Sequence, residues 1–189
     1  MLTIKVTEAQ ERRLIRELAH IAGGAPRAMS AALNKTATGM KTDTVRTLAK
    51  RYTAKQKDIR AAIRIGQKAS PAHLVASVIG ERKRALSLMD FRVRPRGATR
   101  RRPAGGLTVE VLRGKSARIP HGFIVNSRGG TIAAGRKGRA RLPIEKFFGP
   151  GVASMMDQGR VANPVMELAG ARLEKNINMA LDAVEKRII

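Results

Sequence analysis

Cysteine is absent from the 189 residues, which removes disulfides, thiolate metal sites and cysteine nucleophiles together. Tryptophan is absent too, and the aromatics amount to one Tyr and four Phe. A core must therefore be built from Ala, Leu, Ile, Val and Met, and few rings are left on which single-stranded bases could stack. Acidic residues are scarce, 14 Asp and Glu against 38 Lys and Arg. Between residues 27 and 148 they are Asp43, Asp58, Glu81, Asp90, Glu110 and Glu145, and no pair among them suggests a general acid and base or a two-metal site. No apolar run approaches the roughly 18–20 residues of a membrane span. The opening Met1-Leu-Thr-Ile-Lys-Val6 lacks a basic region leading into a long apolar one, so no signal peptide is expected, and synthesis in a cytoplasm is. No internal repeat is visible.

What is present is charge on an ordinary apolar background. Apolar residues make up 43%, which suits a folded chain, and the net charge is +24. Self-repulsion on that scale opposes compaction, so a polyanion or an acidic surface is expected to offset it. The excess is uneven: +1 over residues 1–26, +8 over 27–64, +6 over 65–100, +9 over 101–148 and 0 over 149–189. The middle of the chain should meet the polyanion, and the neutral end should pack against protein.

Periodicity predicts a helix over 7–22, with Thr7 and Gln10 as a capping box and an apolar stripe of Leu14, Ile15, Leu18 and Ile21. Pro26 should open a longer helix to about Tyr52, with Met29, Leu33, Ala37, Met40, Val45, Leu48 and Tyr52 on one side. Thr53 and Gln56 repeat the capping pattern before a short helix to about Ile63. His73–Ile79 reads as a buried strand, Leu86–Arg94 as a second extended stretch, and Leu107–Val111 and His121–Asn126 as further strands. The Pro-, Gly- and Arg-rich segment 95–106 should be a mobile loop, and 127–141 a hairpin turn followed by a basic stretch. A short helix at 152–157 precedes the clearest amphipathic helix. Asn163 is its expected cap, Pro164 its first residue, and Met166, Ala169, Leu173, Ile177, Ala180, Val184 and Ile188 its stripe. Segregated helices and strands predict an α+β fold, with N-terminal helices, a small mostly antiparallel sheet and a long C-terminal helix. The expected division is a helical arm over 1–24 and one domain over 25–189, with helices at 26–63, strands at about 72–135 and helices at 152–187.

Three basic clusters are the candidate polyanion contacts: Arg82-Lys83-Arg84, Arg100-Arg101-Arg102 with Arg96 nearby, and Arg136-Lys137 with Arg139 and Arg141. Arg100, Arg101 and Arg102 should be the most exposed of them. No zinc-finger spacing or recognition helix is visible, so sequence-specific readout is not expected. Gly130-Thr-Ile-Ala-Ala-Gly135-Arg136-Lys137 superficially looks like a phosphate-binding loop, but Arg136 and Lys137 occupy the places of its Lys and its magnesium-binding hydroxyl. His20, His73 and His121 are far apart and lack neighbouring acids. No catalytic, metal or cofactor site is therefore expected, and no small-molecule substrate. Phe147 and Phe148 lie beside Gly149 and Pro150, as a ring pair pinned into a core or as an anchor in a subunit interface.

Arg141-Leu142-Pro143-Ile144-Glu145-Lys146, then Phe148-Gly149-Pro150 and Val152 before a short Met-containing helix, resembles the signature of phage minor tail protein Z and related tail-completion proteins. Gly122-Phe123-Ile124-Val125, the turn at Gly129-Gly130, and Leu86-Ser87-Leu88-Met89-Asp90-Phe91 fit the same resemblance, which spans roughly residues 25–187. Gly151 stands where many relatives are expected to carry Ser. The resemblance implies a non-enzymatic virion component at the head-proximal end of the tail, assembled in the host cytoplasm and acting in head–tail joining near the DNA channel. It implies a homo-oligomeric ring, sixfold as such tail rings commonly are. Partners would be the tail terminator, tail tube or head-completion proteins and genomic DNA without sequence preference, with no membrane. Charge alone fits equally a stand-alone DNA- or RNA-binding protein of the nucleoid or ribosome.

Overall fold

A computed structural model describes the chain except residues 82–84, 99–102, 104, 139, 141 and 187–189. The order of elements is β1 (Leu2–Lys5), α1 (Glu8–Glu17), α2 (Gly24–Arg51), α3 (Gln56–Ala61), β2 (Ile63–Gln67), β3 (Val75–Gly80) and β4 (Ala85–Ser87). A single 3-10 turn, Leu88–Asp90, leads to β5 (Arg92–Arg94), β6 (Leu107–Leu112), β7 (Lys115–Ile119), β8 (Phe123–Ser127), β9 (Gly130–Arg136), β10 (Ile144–Lys146) and β11 (Phe148–Gly151). The chain closes with α4 (Val152–Met156) and α5 (Gly159–Glu185). The fold is α+β.

α2 is the central element. Its whole expected stripe, from Met29 to Tyr52, is buried, and so are Ala25, Ala28, Ala32, Thr36, Asp43, Thr44 and Ala49. The threonines are tolerated because the Thr36 and Thr44 hydroxyls donate to the carbonyls of Ala32 and Met40 one turn back, at 2.8 and 2.7 Å. α5 packs antiparallel along α2. Its expected stripe supplies Ala169, Leu173 and Ile177 to the core, joined by Val161, Val165 and Leu181. Two polar contacts to buried groups cross this seam: Asn176 donates to the Thr36 hydroxyl at 2.8 Å, and Arg172 to the Asp43 carboxylate at 2.6 Å; at the exposed margin the Lys35 ammonium reaches the Met179 sulfur at 3.6 Å.

α5 begins four residues before the expected Asn163 cap, with Gln158 in the capping position and Pro164 inside the helix. The missing proline N–H falls near the helix start, where burial of Val161 and Val165 outweighs the lost bond. The second capping box is also corrected. Lys55 caps α3 without a side-chain bond. Thr53 instead donates its hydroxyl to the Glu110 carbonyl and accepts from the Arg92 N–H at 3.1 Å. α1 keeps its box, with Thr7 and Gln10 bonded reciprocally.

The strands divide among four small antiparallel sheets, ordered β1-β3-β2, β5-β6-β7, β8-β9-β10 and β4-β11. Residues 1–24 contribute Leu2 and Ile4 from β1, then Leu14 and Leu18, to the main core. That core unites the helices with the first sheet. A second, smaller core of Leu88, Val93, Leu107, Val109, Ile124 and Ala133 lies among β5, β6, β8 and β9. The link from α2 to α3 ties the two together. Tyr52 bridges to Leu112, Thr53 N–H donates to Val111 at 3.0 Å, and Arg113 N–H donates to Arg51 at 2.9 Å.

Candidate nucleic-acid interface

In β5-β6-β7 the period of two sorts the side chains by face. Val93, Leu107 and Val109 turn into the second core, which leaves Arg92, Arg94, Thr108, Glu110, Ser116 and Arg118 for the other face. Arg94 pairs across to Thr108 and Thr108 to Arg118, so two arginines flank a threonine in one row. In the next row Arg92 meets Glu110 at 3.0 Å. The Gly114 N–H holds the Glu110 carboxyl below its usual pKa; burial opposes that shift, and Arg92 and Arg113 add to it. Glu110 is thus a committed counterion, and Arg94 forms no ion pair among the described residues. Arg118 is fixed by its Nε, which donates to the Gly105 carbonyl at 2.6 Å.

Of the sequence-derived contacts, Arg96, Arg136 and Lys137 are described and exposed. Arg136 lies over the Phe123 ring at 5.5 Å. Arg82, Lys83, Arg84, Arg100, Arg101, Arg102, Arg139 and Arg141 fall outside the described residues. Sequence reasoning missed Arg92, Arg94 and Arg118, although Arg92-Val93-Arg94 alternates in a way that could have signalled them. A second cationic place was not legible: Arg46 and Lys50 of α2, Gln56 of α3 and Arg113 after β6 line one cleft.

The two segments that carry the resemblance come together. Phe148 pairs with Ser87 and Gly151 with Ala85, and the Leu88 N–H donates to the Phe147 carbonyl at 3.2 Å. A Cβ at Gly149 would run into the Phe91 ring, and one at Gly135 into the Phe147 ring, so both glycines hold an aromatic in place. The phenylalanine pair is split. Phe147 packs against the second core, whereas Phe148 is 57% exposed, with Lys146 over its ring at 5.1 Å. Of the two places left open for the ring pair, Phe147 takes the core and Phe148 does not. Leu142 and Ile144 are also exposed, while Val152 is fully buried.

The stretch that superficially looks like a phosphate loop is strand β9, without the strand–loop–helix turn such a loop needs. Among the described residues no three His, Asp or Glu side chains are grouped to hold a metal ion. No described helix is long and apolar enough to cross a membrane.

The scaffold thus displays cations on the outer face of one sheet and large exposed apolar side chains on β10 and β11. The chain belongs to the prophage minor tail protein Z (GPZ) family, whose family model matches residues 11–189. No curated protein and no solved structure gave a match. A minor tail protein is a structural part of a bacteriophage tail, and the chain is accordingly virion-associated.

Proposed function

We propose that this protein completes the head-proximal end of the tail as a homo-oligomeric ring, with its basic middle toward genomic DNA. Its action is contact rather than catalysis. The observation that carries the reading is the separation of charge within the family fold. Arg92, Arg94, Arg118, Arg136 and Lys137 project from the sheets of the middle region, whereas the span 149–189 is neutral. Phosphates would be met by cations that release counterions and read no sequence. Leu142, Ile144 and Phe148 support the protein-facing half. They are exposed apolar side chains just before β10, on β10 itself, an edge strand, and at the start of β11. That suits burial against a neighbouring subunit or a tail terminator, tail tube or head-completion protein.

Electron microscopy of particles lacking the protein tests the reading. Filled heads and complete-length tails that fail to join are expected. Normal, infectious particles without it would overturn the proposal.

A further inference from the structure

The C-terminal end of α2 meets the turn between β6 and β7 in an open cleft lined by Arg46, Ala49, Lys50, Gln56 and Arg113. We propose that this cleft is a seat for a backbone phosphate of duplex DNA, held by Arg46, Lys50 and Arg113. The inference rests on the reading above only for the presence of DNA.

Arg46 and Lys50 are one helical turn apart, both exposed, and like charges at that spacing repel. Neither forms an ion pair or a side-chain hydrogen bond among the described residues, and the cations of α1 and α5 that are paired lie elsewhere. Arg113 is pre-positioned: its Nε donates to the Ala49 carbonyl at 3.0 Å and its backbone N–H to Arg51. The partial negative charge at a helix C-terminus explains that Arg113 contact. It does not explain Arg46, which sits more than a turn before the helix ends. Arg113 lies within electrostatic reach of Glu110, whose carboxylate is bonded to the Gly114 N–H at 2.8 Å and paired with Arg92, whereas neither Arg46 nor Lys50 has such a counterion among the described residues. Arg46 and Lys50 therefore bring unpaired positive charge to the cleft, beside a backbone fixed by the Thr53 and Tyr52 contacts. Gln56 adds an amide donor. The lining includes one small apolar residue, Ala49, and no aromatic, which is the composition of a phosphate contact rather than of a protein-interface core.

The test uses the full chain and a short mixed-sequence DNA duplex, followed by fluorescence anisotropy over a salt series. Arg46→Glu with Lys50→Glu should weaken binding by at least ~10-fold, and Arg46→Gln with Lys50→Gln should reduce the salt slope by about 1, the share of one phosphate. Arg12→Glu with Arg16→Glu on α1 makes the same change in net charge and should alter affinity by less than about threefold. Thermal unfolding of each variant identifies any misfolded one, and the Gln pair, at exposed positions, is the gentler version. Equal losses in the cleft and control pairs would overturn the site in favour of net charge alone. Intact DNA binding with failed head–tail joining in the cleft variant would overturn it in favour of an acidic protein partner, leaving the tail reading in place. Normal particles without the protein would remove the tail reading, while the binding assay would still decide the cleft.

Discussion

Leu173 and Phe148 are both large and apolar, yet their surroundings are opposite. Leu173 is 3% exposed at the α2–α5 seam, and Phe148 is 57% exposed on β11. Leu173→Ala should therefore cost about 2–5 kcal/mol of stability in urea unfolding. Phe148→Ala should cost less than about 1 kcal/mol, since most of its ring is already in water. A loss at Phe148 as large as at Leu173 would return it to the core. This contrast was not legible in the sequence, where two adjacent Phe look alike. What separates them is the side of the chain each one takes. Phe147 packs over the bare backbone of Gly135, while Phe148 pairs with Ser87 and faces outward. The Val152 position at the end of the same motif is buried because it opens α4 against the main core.

At the scale of elements, long periodic segments were read well and short strands were not. α1, α2 and α5 were legible because several turns of one apolar stripe repeat the same signal. β2, β7, β10 and β11 are three to five residues long. Such lengths hold too few alternations, and β11 in addition pairs with β4, about sixty residues earlier. Thr53 shows the same failure in a side chain: a local capping pattern lost to a tertiary partner, the β6 backbone. The cleft at Arg46, Lys50 and Arg113 was invisible because its parts are separated by more than sixty residues. β6 also sets a pH dependence. Glu110 has a lowered pKa in the folded protein, so the fold prefers its carboxylate ionised. That stabilisation is complete above the ordinary carboxylate range and is lost as pH falls through it toward the lowered value. The gap in melting temperature between the wild type and Glu110→Gln should hold from neutral to about pH 5 and close below that. A gap that ignores pH would show that the Gly114 and Arg92 contacts do not act through charge.

For the whole molecule, the charge map and the fold agree in outline. The neutral span 149–189 is largely α4 and α5, packed on the main core, and the basic middle includes the sheets of the second core. α2 and α5 have 28 and 27 residues, so each is about 40 Å long. Their seam is mostly Ala, Leu, Ile, Val and Met, side chains that tolerate sliding. The two polar contacts to buried groups do not. A shift of one turn, about 5.4 Å, would leave Asp43, 7% exposed, without Arg172, and Asn176 without Thr36. Arg172→Met alone should cost about 3 kcal/mol, and adding Asp43→Leu should recover part of it; additive losses in a denaturation cycle would refute the coupling. In mechanical terms the two helices are smooth rods joined by two dowels. A pull along their axis must shear both dowels before the rods can slip, so this pair bears load as a stiff strut of set length.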